Sequence, residues 1–185
     1  MHKRLLALMI VLGGCGRTEQ PAPPPAEPTK IAAFADRPWT LSARGFGPLV
    51  TGITVTAASA ATNGAVRVPA AASPEQCVYA LWRDAPLGLF VMFENGVLVR
   101  VDVTAPGIAT AEGVQVGDSG AHADSIYSTV ATRRPHKYEA GEYLIVRPLA
   151  PADTLQRLVI EVVAGKVERF RVGRFPQVEY VEGCG

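Results

Sequence analysis

Histidine is scarce in this chain of 185 residues, which carries 3 in all. One of them, His2, lies in the leader described below, so a mature body retains only His122 and His136. The three cysteines show no C-x-x-C spacing, and with so little histidine a zinc-type site is poorly supplied. Charge of one sign is also lacking, because 18 Lys and Arg stand against 17 Asp and Glu. Loss of Lys3 and Arg4 with the leader takes the 18 to 16, one fewer than the 17 acids. That balance argues against a nucleic-acid binder, which presents a net basic face. The N-terminal apolar run "LLALMIVL" has eight residues, whereas a permanent bilayer span needs about 20.

What is present begins at the N-terminus. His2, Lys3 and Arg4 precede that apolar run, and Gly13, Gly14 and Cys15 follow it. A positive head, a short apolar middle and small residues before a cut form the signal-peptide pattern, here residues 1–14. Leu12-Gly13-Gly14-Cys15 resembles the bacterial lipobox. The resemblance implies that the leader is removed, that Cys15 becomes the mature N-terminus, and that Cys15 carries diacylglycerol. Two acyl chains anchor a protein stably where one is marginal. An ordinary secretory signal with a cysteine nearby is the alternative. In the best-known bacterial lipoproteins Asp after the cysteine signals inner-membrane retention. Gly16 stands there, so the expected place is the outer membrane, facing the periplasm, with the inner membrane and the cell surface as alternatives.

Residues 15–35 then read as a lipidated cysteine and a tether. Six prolines fall between Pro21 and Pro38. Such segments extend at about 3.1 Å per residue, so roughly fifteen residues reach about 45 Å. With Cys15 lipidated, Cys77 and Cys184 remain as a pair in an exported protein, where disulfides persist. A Cys77–Cys184 bridge is expected, against the alternative of two buried free thiols.

The body contains one pattern twice. Gly52-Ile53-Thr54 matches Gly117-Asp118-Ser119, each before a short helical stretch, "TVTAASAAT" and "SGAHADSIYSTV". "FENGVLVRVDV" matches "VVAGKVERFRV", with Gly96 on Gly165 and Arg100 on Arg169. Asn95-Gly96 between apolar β-rich runs is a strong hairpin signal, and Ala164-Gly165 repeats it. In "VLVRVDV" the valines alternate with Leu98, Arg100 and Asp102, the pattern of a half-buried strand. The fold class expected is α+β. It has two tandem repeats, 36–105 and 106–185, each a short helix packed on an antiparallel sheet of about three to four strands, in one globular body.

The Gly-Asp-Ser-Gly stretch around Ser119 resembles the nucleophile loop of chymotrypsin-like proteases and the first block of the GDSL hydrolases. A chymotrypsin-like triad has its histidine upstream of the serine, and the only upstream histidine is His2. The GDSL pattern places its serine near the mature N-terminus and a D-x-x-H near the end, and no histidine follows His136. Thr54 holds the matching place in the first copy, so both hydroxyls read as helix N-caps.

A Gly-x-Thr/Ser before a short helix, then an antiparallel hairpin, resembles the repeat of the BamE/SmpA-OmlA lipoproteins. It is similar also to the tandem helix-plus-sheet units of beta-lactamase inhibitor proteins. The likeness implies an interaction module rather than an enzyme, and it carries over no partner-binding residue.

Other groups have bland and sharp readings. Asp118, His122 and Asp124 read as a solvated helix face rather than as metal ligands. "TRRPHKYEAGEY" reads as a polar connection, with anion or partner-loop binding as its alternative. Trp39, Trp82 and Phe175 pack in the core or present an interaction surface. Arg100 and Asp102 read as a surface pair. Together these lead to an expected lipid-anchored accessory or binding protein without catalysis and without a cofactor. Its partners are the membrane, through the lipid, and an envelope protein, but no nucleic acid. A small-ligand or metal-binding lipoprotein is the alternative, and an envelope hydrolase stands behind it.

Overall fold

A computed structural model describes residues 39–73, 76–147 and 154–184. The signal 1–14, Cys15 and the tether to residue 35 lie outside the described residues. Local sequence explains the first elements. Short apolar pairs separated by turns give a three-stranded meander of β1 (Leu41–Ser42), β2 (Gly45–Phe46) and β3 (Leu49–Val50). Helix α1 (Val55–Ala61) follows. Next, β4 (Val66–Arg67) pairs with β6 (Leu81–Trp82), and β5 (Val78–Tyr79) lies between them in sequence.

The longer apolar runs form β7 (Leu89–Glu94), β8 (Val97–Val103), β10 (Gly141–Val146), β11 (Gln156–Val163) and β12 (Lys166–Arg174). Helix α2 (Gly120–Tyr127) and the polar β9 (Ala131–Pro135) precede β10. The hairpins β7–β8 and β11–β12 turn where expected. Asn95 and Gly96 have φ of 52° and 73°, and Ala164 and Gly165 have φ of 48° and 76°. Two successive positive φ values match the right-handed twist of the flanking strands.

The expectation of an α+β protein of two helix-plus-sheet repeats is corrected here. Among the described residues the fold is mostly β, with two short α-helices against a seven-stranded antiparallel sheet in the order β5-β7-β8-β12-β11-β10-β9. The cause is the central seam. β8 and β12, which the repeats would have kept in separate sheets, pair through Phe170↔Val103, Arg171↔Asp102, Val172↔Val101 and Gly173↔Arg100. Each strand satisfies the other's open backbone groups, so neither hairpin keeps an edge there.

What recurs is smaller than a domain. Gly52 N donates to Leu98 O at 2.7 Å, Leu98 N to Ile53 O at 2.9 Å, and Val55 N to Gly96 O at 3.1 Å. In the second place Gly117 N donates to Val167 O at 2.9 Å, Val167 N to Asp118 O at 2.8 Å, and Gly120 N to Gly165 O at 2.8 Å. Both hairpins also shift register close to their turn, between Met92 and Phe93 in one and between Glu161 and Val162 in the other.

One sheet face, with Val91, Phe93, Val101, Phe170, Val172 and Ile160, packs under Ala58 of α1 and Ala123 and Tyr127 of α2 in the main core. Fully burying each such Val, Ile or Phe contributes about 1.5–3 kcal/mol. The other face is not solvent, as a half-buried strand would require. The C-terminal segment crosses it, with a 3-10 turn at Gln177–Glu179 that contacts β8, β11 and β12.

Candidate functional site

The outer sheet face is built from three rows set by strand register. Phe90, Asp102, Arg171, Val159, Ile145 and Thr132 form one row across β7 to β9. Arg169, Glu161, Tyr143 and Arg134 form the second. Met92, Arg100, Gly173 and Arg157 form the third. Alternation along each strand thus gathers charge on the face opposite the main core. Arg100 is 3% exposed, Asp102 5%, Glu161 3% and Arg171 2%. The reading of Arg100 and Asp102 as a surface pair is therefore corrected, since the C-terminal segment buries them.

Buried charges persist only when paired and hydrogen-bonded. Arg100 Nε donates to both carboxylate oxygens of Asp102, at 2.9 and 3.0 Å, and its Nη2 also bonds Oδ1. Tyr79 Oη donates to Asp102 Oδ2 at 3.3 Å. Arg171 Nη1 pairs with Glu161 Oε1, and Arg169 Nε lies 3.3 Å from Glu161 Oε2. His136 completes the cluster, with Nε2 3.3 Å from Glu161 Oε2 and its ring stacked 4.6 Å from that of Tyr143. Its Nδ1 accepts from Glu139 N at 3.1 Å, which leaves Nε2 as the protonated nitrogen facing the carboxylate. Burial, and then the Arg100 charge, push the Arg171 guanidinium down to about 10. It remains charged at neutral pH.

The arginines also reach outward, to the main chain of the segment above them. Arg100 Nη1 donates to Tyr180 O at 2.5 Å and Gln177 O at 3.3 Å, and Arg171 Nε donates to Val178 O at 2.6 Å. Val178 is fully buried with Tyr143, Ile145 and Val159, and Val181 packs beside them. Arg134 Nη1 meets Glu179 Oε2 at 2.8 Å, and Lys137 Nζ meets Glu182 Oε1 at 3.1 Å. Hydrogen bonds to Tyr138 and then to Glu182 raise the Lys137 pKa, and the bond from Tyr138 and then that from Lys137 lower that of Glu182. Gly183 passes so close to Tyr79 that a Cβ there would lie 2.5 Å from the phenol oxygen. The segment ends at Cys184, whose sulfur is bonded to that of Cys77, 107 residues earlier.

Compared with known protein families, with curated proteins and with solved structures, the chain matches none. The site is therefore read from its own geometry.

The residues singled out in sequence fall in separate places. Thr54 Oγ1 accepts from Ala57 N at 3.2 Å, and Ser119 Oγ from His122 N at 3.1 Å, each at the start of its helix. Asp118 caps a turn through Gln115 N at 2.8 Å, and Asp124 pairs with Arg133 rather than turning to His122. Trp39 and Trp82 meet at 6.2 Å between ring centroids, joined by Phe46, and pack half-buried against the main core. Phe175 is placed under the Arg157 guanidinium instead, 5.6 Å from its ring centroid. "TRRPHKYEAGEY" is not a connection. It is the edge strand β9, its turn and the start of β10. Arg133 ties α2 to β10 through Asp124 and Glu142, while Arg134 holds Glu179.

Sequence reasoning missed Glu161, Arg171, Tyr79 and Tyr143. A signal was present: charges recur at alternate positions, Arg100 and Asp102 inside the apolar β8, then Arg169 and Arg171 in β12. A second signal was the alternating "QVEYVE" after β12.

Three cavities on the described body are small, and a wide, open groove of about 580 Å³ runs along Val55, Ser59, Ala60 and Arg67. One of about 170 Å³ lies beside Leu41, Tyr127 and Glu112, one of about 180 Å³ between Arg134, Val159 and Val181, and one of about 250 Å³ between Val55, Val68 and Phe93. Drug-sized ligands occupy about 300–1,000 Å³. Among the described residues, no cluster of three or more His, Cys, Asp and Glu is placed to hold a metal, and no helix is long and apolar enough to cross a membrane.

Proposed function

We propose that the protein is a lipid-anchored, non-catalytic accessory module of the bacterial cell envelope that works by contact with another envelope protein. The observation that supports this reading is the outer end of β7. Leu87 is 83% exposed, Leu81 61% and Phe90 48%. Leu81 and Phe90 stand on β6 and β7, beside a braced frame, and Leu87 lies in the turn that leads into β7. Ala80 N donates to Val91 O at 2.9 Å, the Tyr79 ring packs edge-on against Phe90 at 6.3 Å, and Cys77 is bonded to Cys184 nearby in sequence. Large apolar side chains held on rigid elements and exposed to water suit a partner surface. Their cost in water is recovered when a partner covers them.

The test is photocrosslinking in cells, at position 87, of the full-length lipidated protein at native expression, read by mass spectrometry. A single enriched envelope protein, lost when Phe90→Asp is introduced without a change in thermal unfolding, supports the reading. No specific enrichment, or enrichment indifferent to Phe90→Asp, sinks it. The anchor is read separately. Cys15→Ser is expected to abolish incorporation of labelled palmitate and to release the protein from the membrane fraction. Retention of the label overturns the lipid assignment.

A further inference from the structure

We propose that residues 176–184 are a displaceable occupant of a peptide groove on the outer sheet face. The Cys77–Cys184 bond holds them there. When an external dithiol reduces that bond, a peptide that repeats the Val-Glu-Tyr-Val-Glu pattern of residues 178–182 and its turn takes their place.

The grip on the segment is generic where it is strongest. Arg100 and Arg171 hold three main-chain carbonyls, those of Gln177, Val178 and Tyr180. A 3-10 turn at Gln177–Glu179 aims these carbonyls, and any peptide that takes the same turn offers them at these places. Charge-assisted bonds from a rigid guanidinium are the stronger kind of hydrogen bond, and they read backbone rather than identity.

Side chains supply the selectivity. Val178 fills an apolar recess against Tyr143, Ile145 and Val159. Glu179 faces Arg134, and Glu182 faces Lys137. The Lys137–Glu182 pair is exposed, at 54% and 63%, whereas in the other Arg134 is 54% exposed and Glu179 15%. Pairs of this kind select a sign of charge but hold weakly. The segment's apolar hold is also slight, because its contribution to the buried cluster is Val178, with Val181 partly buried. The groove therefore prefers an acidic, valine-bearing strand and lets it go readily.

The face remains in order when the segment leaves. Arg100 keeps Asp102, and Arg171 keeps Glu161. Those carboxylates come from the strands themselves, so departure strands no buried charge without its counter-ion. It opens guanidinium edges that water or a new peptide can fill.

The disulfide decides occupancy through effective concentration. A segment tied at both ends rebinds far faster than a free peptide arrives. Both cysteines are half-buried rather than sealed in the core. A dithiol thiolate attacks one sulfur, the Sγ–Sγ bond breaks, and a mixed disulfide forms. The second thiol of the reductant then displaces the protein sulfur. Two electrons and two protons pass to Cys77 and Cys184, and the reductant is left as its own disulfide. The segment then keeps its chain connection at Phe175 and loses its tie to Cys77.

The experiment uses the full chain in detergent, with and without dithiothreitol. Amide exchange is followed across 176–183, β8 and β12. A fluorescent peptide spanning residues 176–183 is titrated in parallel, against oxidised, reduced and Cys184→Ser protein. Exchange in 176–183 is expected to quicken at least about tenfold on reduction while β8 and β12 keep their protection. The peptide is expected to bind the reduced and Cys184→Ser forms but not the oxidised one. Arg134→Glu should weaken that binding about fivefold or more, and a peptide carrying Glu179→Lys should restore it. Three results overturn the proposal: unchanged exchange in 176–183, loss of protection in β8 and β12 together with the segment, or a reduced protein that ignores the peptide. The β7 surface is read by crosslinking at position 87 in the oxidised protein, so failure of the one proposal is distinguished from failure of the other.

Discussion

Ser119 shows how a single hydroxyl is settled by what it bonds. Its Oγ accepts from a helix-start amide, as does that of Thr54, so both act on stability. Ser119→Ala is expected to cost about 1 kcal/mol in chemical denaturation, with Thr54→Ala similar. A fall well beyond that, or an esterase activity lost with Ser119, would contradict the capping role. Tyr127 carries a pH signature of its own. Its phenol donates to Glu112 Oε2 at 2.6 Å and lies 2.8 Å from the Thr110 hydroxyl. Burial first, then the bond to Glu112, raises its pKa above the ordinary value of 10.0, and burial followed by the Asp102 charge raises that of Tyr79. In the unfolded chain both ionise near 10.0. Their contribution to stability is thus complete below that pH and is lost as pH rises through the folded values. Stability is expected to fall above about pH 10, and less steeply in Tyr127→Phe. Ultraviolet titration should show phenol ionisation above pH 10 that is lost in Tyr79→Phe and in Tyr127→Phe. A titration curve above pH 10 left unchanged by both substitutions would refute the assignment.

At the scale of elements, the seam between β8 and β12 decides the fold, and Gly173 is its tightest point. A Cβ there would lie 2.4 Å from Val99 O and 2.8 Å from Arg100 Cα, both backbone atoms. Flexible side chains yield to such a contact, but paired backbone does so only by breaking register. Gly173→Ala is expected to destabilise by about 1–3 kcal/mol, read from the urea midpoint. An unchanged midpoint would mean that the seam is looser than its geometry. The same seam explains what was legible in the sequence. Asn95-Gly96 and Ala164-Gly165 announce their hairpins because a two-residue turn is local chemistry. Gly52 and Gly117 announce the turns that bind those hairpins for the same reason. Nothing local tells β8 that its neighbour lies some seventy residues away, so the hairpins read as parts of separate sheets. The charged face was hidden by a related limit. Arg100 and Asp102 at alternate positions of a strand read as solvent-facing, and only the covering segment makes them interior. That segment has no long apolar run to mark it as a covering layer, because its main chain and two glutamates do most of the docking.

For the molecule as a whole, the disulfide has a local and a global consequence, and heat separates them. Locally it fixes the C-terminal segment on the outer face. Globally it joins residues 107 apart, so the loop it closes takes in every strand of the main sheet. An unfolded chain with so long a closed loop loses many conformations, and removing such a bond costs about 2–5 kcal/mol. For a body of this size that corresponds to a fall of about 10 °C in the thermal midpoint. Most small domains hold about 5–15 kcal/mol in reserve, so the reduced protein is expected to unfold earlier yet still in one cooperative step. Calorimetry with and without a dithiol reads this directly, with Cys77→Ser and Cys184→Ser as controls. A lower but single transition places the effect in the unfolded chain and leaves the sheet intact when the segment is free. A broad or double transition would mean that the segment is part of the folding unit. An unmoved midpoint would mean that the loop is already constrained before it folds, as β8 and β12 would make it if their pairing persisted in the unfolded ensemble.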